Sequence, residues 1–99
     1  MIIEIKTFIN GETAVSYNDG LLCLEQVKKG LMEDGEVTLD FDKVDYVITA
    51  FLNPIIGDLI LEKGIEVMKS IKIVNANQKT IEKIKMVKDG ALIKREDLE

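Results

Sequence analysis

Asp40, Asp42 and Asp45 fall within one short stretch at the end of an apolar alternation. Three carboxylates there could hold a hard cation such as Mg²⁺. Loop aspartates more often cap turns and solvate a connection, and that reading is adopted here. The chain has no histidine, so the commonest general base and metal ligand is missing. One cysteine, Cys23, with no histidine beside it supplies none of the usual zinc sets. Neither a serine nucleophile elbow nor a glycine-rich phosphate loop occurs. The expectation is a non-enzymatic protein without catalytic residues, metal or cofactor.

The basic residues point the same way. Lys79, Lys83, Lys85 and Lys88 share one predicted helix but alternate with Glu82 and Asp89. Nucleic-acid binding needs several neutralised phosphates, and a chain of net charge −5 with a single arginine is a poor candidate for it. Charge is nonetheless polarised. Residues 1–62 carry 12 acidic and 4 basic side chains, and residues 63–95 carry 3 acidic and 9 basic. Most such asymmetry is a solvated face, though it can steer a partner.

The elements that would position these residues follow from periodicity. Ile3, Ile5 and Ile9 lie on one side of an opening strand. Asn10-Gly11 is a short-hairpin signal, so residues 12–16 form either a second strand or a plain turn into a helix. Ser16 and Asp19 make a capping-box variant, and Leu21, Leu24, Val27 and Leu31 form the stripe of the helix that follows. Gly20 and Gly30 weaken that helix by roughly 1 kcal/mol each relative to alanine. Cys23, beside the stripe, reads as a small core residue.

Val37, Leu39 and Phe41 alternate as a strand, and Leu52, Ile55, Ile56, Leu59 and Ile60 recur at helical spacing up to Gly64. Ile65, Val67 and Met68 suggest a short helical turn or an irregular packing segment, and Ile71–Val74 a strand. Asn77 is an N-cap for a helix through Ile81, Ile84 and Val87, which Asp89-Gly90 is expected to stop. Residues 91–99 are left as a frayed tail or small edge element. The order predicts one α/β domain with a small mixed, mainly parallel sheet and alternating helices. Its strands alternate instead of running apolar throughout, so helices should crowd one face. The other face would be wet, or covered by a partner or second subunit.

The run Leu39-Asp40-Phe41, then Val44, then Thr49-Ala50-Phe51-Leu52-Asn53 with Gly57 in the helix, resembles a small bacterial STAS-like family of unassigned function. More distantly it is similar to the STAS domains of anti-sigma factor antagonists. The resemblance implies a STAS-like fold and a regulatory module that binds a protein partner, either a histidine-kinase-like ATPase or an anti-sigma-type regulator. The implied surface is the loop 42–50 and the helix 51–63, with Asp42, Asp45, Thr49, Asn53, Asp58, Glu62 and Lys63 as contact candidates. Two alternatives stand beside it: a structural, self-associating homo-oligomer with no kinase partner, and a small-ligand binder or enzyme of unknown chemistry.

In those antagonists the turn before this helix carries a phosphorylated serine in an Asp-Ser-Ser-Gly run. Here Ile48 takes the aspartate position and Ala50 that of the phosphorylated serine. Thr49 alone keeps a hydroxyl, and it is expected to be a cap or loop residue in preference to a phospho-acceptor. Pro54 leaves two starts for the helix. Thr49 as N-cap puts the proline inside, whereas Asn53 as N-cap puts it at the favoured first position. Met1-Ile2-Ile3-Glu4 brings charge too early for a signal peptide, and the apolar run 47–61 is shorter than the ~20 residues of a membrane helix. A lone cysteine fits a reducing cytoplasm, where the chain is expected to reside without contacting a membrane.

Overall fold

The computed structural model describes residues 1–98. In chain order the strands are β1 (Ile2–Glu4), β2 (Thr13–Ala14), β3 (Val37–Asp40), β4 (Tyr46–Val47) and β5 (Ile71–Val74). The α-helices are α1 (Tyr17–Asp34), α2 (Thr49–Leu52), α3 (Leu59–Lys63) and α4 (Gln78–Leu98). A π-helical stretch, Asn53–Asp58, joins α2 to α3, and 3₁₀ turns occupy Ile5–Phe8 and Ile65–Ser70.

The expected α/β fold with parallel strands is observed, divided into two small sheets. β3 lies between β1 and β5 and runs parallel to both, while β2 pairs in parallel with β4. Two expectations at the start of the chain need correction. The opening strand ends at Glu4, where the chain turns into 3₁₀ geometry. Asn10-Gly11 does not fold a hairpin onto β1. Gly11 turns with φ of 79°, and β2 is carried across to β4.

The sheet is two-faced, as its alternation predicts. Ile3, Val37, Leu39 and Ile71 are buried on the inner side, where α1 packs against β3. Ile2, Glu4 and Lys72 are exposed on the outer side. The core is aliphatic apart from Phe41 and Phe51. Cys23 belongs to it, and burial pushes its thiol up to about 12. Among the described residues no helix is long and apolar enough to cross a membrane.

Caps explain where α1 runs. The Ser16 hydroxyl oxygen accepts the Asp19 amide at 3.2 Å, and Gly35, in left-handed geometry, ends the helix by donating to the Leu31 carbonyl. The buried face is Gly20, Cys23, Leu24, Val27 and Gly30, with Leu21 left exposed. The two glycines are therefore contact points. A side chain on Gly20 would run into the Phe51 carbonyl and the Pro54 ring, and one on Gly30 would meet Val37 and Met1.

The helical run 49–63 takes neither of its two expected starts. Ile48 is still extended and donates to the Ala14 carbonyl, so it ends the β2–β4 pairing and bounds the helix. Thr49 is thus the first helical residue, and Pro54 sits inside. A proline has no amide hydrogen to give, and the chain widens around it into the π stretch. Gly64 closes the run as expected, donating to Ile60 at 2.7 Å.

α4 also departs from expectation. It passes through Asp89-Gly90 without stopping and continues to Leu98, burying Ala91. The segment expected to be a frayed tail is helix in this stretch, and Glu99 lies outside the described residues. The Asn77 cap holds: its Oδ1 accepts the Thr80 amide at 2.8 Å. α4 packs on α2, the π stretch, α3 and β4.

Candidate functional site

The run 49–63 is buried along most of its length. Phe51, Leu52, Ile55, Ile56, Leu59 and Ile60 are inaccessible, leaving Asn53, Asp58, Glu62 and Lys63 exposed. Thr49, Asn53 and Asp58 line one side of a cleft of about 230 Å³. Met86, Gly90, Ala91 and Lys94 of α4 line the other, with Gly57 and Val87 between. Among the described residues, the side chains of Thr49, Asn53 and Asp58 make no hydrogen bond or ion pair.

The other sequence candidates lie apart from this cleft. Glu62 forms an ion pair with Lys28 at 2.8 Å, and that hydrogen bond and charge hold its carboxyl below the ordinary value. Glu62 and Lys63 border a separate depression with Lys28, Leu31, Met32 and Val67. Asp42 lies at the end of the three-stranded sheet, in a cleft with Glu4, Lys6, Asp40 and Lys43. Asp45 is exposed, and its carbonyl accepts Asn77 Nδ2 at 3.0 Å.

The aspartate trio does not converge. Asp40 Oδ1 accepts the Asp42 amide and Asn75 Nδ2, each at 2.9 Å. These bonds, Asn75 first, hold the carboxyl below its ordinary value. Among the described residues no three acidic, cysteine or histidine side chains gather as a metal would require. The lysine row is likewise not a free basic face. Lys83 Nζ donates to the Val47 carbonyl at 2.6 Å and lies 4.2 Å from the centroid of the Tyr46 ring.

Sequence reasoning missed Gly90 and Lys94 because α4 was expected to stop at Asp89-Gly90, and it missed Met86, which lies inside the expected helix, because nothing in its spacing marks a site. The available signal was the helical period Ile84, Val87, Ala91, which runs past the glycine and is buried throughout.

No curated protein and no solved structure matches the chain. A family described as a STAS-like domain of unknown function matches residues 22–80. That segment takes in most of α1, the strand β3, the loop 42–50, the whole run 49–63 and β5. The chain belongs to this STAS-like domain family of unknown function.

Proposed function

We propose that this chain is a non-enzymatic regulatory module of the bacterial cytoplasm that docks a protein partner, a histidine-kinase-like ATPase or anti-sigma-type regulator. The docking surface is the loop 42–50 together with the start of the run 49–63, completed by α4. One observation carries the reading. Thr49, Asn53 and Asp58 project into a shared cleft from a well-packed helix and make no side-chain bond among the described residues. Packing fixes their positions, while their hydrogen-bonding capacity is left to an outside group.

The cleft suits a protein better than an enclosed small molecule. At about 230 Å³ it is smaller than the usual ligand pocket of roughly 300–1,000 Å³. Its rim includes Met86, which is 64% exposed. An adaptable apolar side chain beside polar groups is typical of a contact surface. Thr49 makes no side-chain hydrogen bond among the described residues and has no aspartate before it, so the module works through docking and does not require a phosphate on this residue.

Photocrosslinking in the native cells tests this. A photoreactive side chain at Asn53 should capture an ATPase or regulator of the stated kind, identified by mass spectrometry. The same group at Met32, exposed on α1, should not. Equal capture at both positions, or adducts only with other copies of this chain, would refute the proposal.

A further inference from the structure

The outer face of the three-stranded sheet is a small grid fixed by strand register. One row is Ile2, Thr38, Lys72, and the next is Glu4, Asp40, Val74. Apolar residues hold one pair of opposite corners, Ile2 at 71% and Val74 at 36% exposed. Glu4 and Lys72, of opposite charge, hold the other pair. Helices pack on the inner side of this sheet.

We infer that a second copy of this chain covers this face, related by a twofold axis along the Ile2–Val74 diagonal. Strands lie about 4.8 Å apart and same-face neighbours about 6.7 Å apart, so the corners stand roughly 10 by 7 Å from one another. Rotation about that diagonal keeps Ile2 and Val74 opposite their own counterparts. It also carries Lys72 of each copy over the edge of the other's grid between Asp40 and Glu4, within roughly 4 Å of either position. The two sets of strands then cross at about 70°, nearer to the orthogonal than to the aligned way in which sheets stack.

The other in-plane axes fail on charge. An axis parallel to the strands sets Ile2 against Lys72 and Glu4 against Val74. An axis across the strands sets Ile2 against Glu4 and Lys72 against Val74. Either one desolvates charges without partners. Lys72 is free to exchange partners, since its contact with Glu36 is a 3.4 Å pair between exposed side chains. The grid is smaller than the ~800 Å² per partner of a standard interface, so the dimer is weak and salt-sensitive. This surface is separate from the cleft, and the inference does not depend on the docking proposal.

Sedimentation equilibrium of the purified chain from micromolar to millimolar concentration tests it. The native chain should dimerise reversibly, and less as salt rises. Glu4→Lys and Lys72→Glu should each weaken the dimer about tenfold or more, because each change is felt twice across the axis. The double variant Glu4→Lys/Lys72→Glu should recover to within about threefold of the native constant, since the pairing is restored with its signs exchanged. All three variants should keep the native circular dichroism melt, as both positions are exposed. A monomer throughout the range, single variants that dimerise normally, or a double variant no stronger than the singles would each overturn the inference.

Discussion

Asp40 shows how its neighbourhood is built as a turn. One of its oxygens already accepts two bonds, from the Asp42 amide and from Asn75 across the sheet end. That geometry ties the exit of β3 to the exit of β5. The carboxyl is held below its ordinary value of 3.8, chiefly by Asn75. The sign follows: a depressed folded value gives stability that is complete above 3.8 and is lost as pH falls through the lower folded value. Asp40→Asn keeps an acceptor oxygen but does not titrate. Urea midpoints measured from neutral pH into this acid range should therefore fall further for the native chain than for Asp40→Asn, and parallel curves would show that Asp40 contributes nothing. Residue chemistry of this kind was legible in part. The turn-capping role of the aspartates and the inert character of Cys23 follow from residue type. The Asn75 bond was not legible, because it joins residues 35 apart in the chain.

At the scale of elements, the glycines separate local preference from packing. Gly20 faces the backbone of Phe51, which has no room to move, and the Pro54 ring. Gly20→Ala should destabilise the fold by about 2–3 kcal/mol through overpacking, despite the better helix propensity of alanine. Gly90 sits mid-helix with nothing within 4 Å of where a Cβ would lie. Gly90→Ala should stabilise by about 0.5–1 kcal/mol. Urea denaturation of the two variants measures both, and equal effects would refute the contrast. The same competition explains what the sequence misled on. Asp89-Gly90 is a stop signal only if the glycine turns left-handed, and positive φ is confined to Gly11, Gly35 and Gly64 among the described glycines. Burial of Ala91 beyond it outweighs the local preference. Periodic segments such as α1 and β3 were readable, because one face of each meets the core. The brief β2–β4 pairing was not, since two residues carry no period.

Across the whole molecule, α4 is fastened at both ends by side chains that reach backbone carbonyls, to the β4 segment at its beginning and to α3 at its far end. Asn77 and Lys83 hold its beginning to Asp45 and Val47. Arg95 Nη1 holds its far end, donating to the Leu61 carbonyl at 2.7 Å and to Ile60 at 3.4 Å. The Leu61 carbonyl lies in the last turn of α3, where a helix leaves acceptors unsatisfied and favours a cation, while that of Ile60 also accepts the Gly64 amide. Arg95 therefore fixes the wall of the cleft that carries Gly90 and Lys94. Arg95→Met keeps an apolar stem while removing the donors. Local opening should follow instead of global unfolding, because Ile84, Val87 and Ala91 still bury α4 along its middle. Native-state hydrogen exchange should then quicken about tenfold over residues 90–98, the equivalent of the ~1.5 kcal/mol of a charged hydrogen bond. Amides of α1 should exchange as before. If α1 and the end of α4 quicken together, α4 opens only with the entire fold, and the cleft has no independently movable wall.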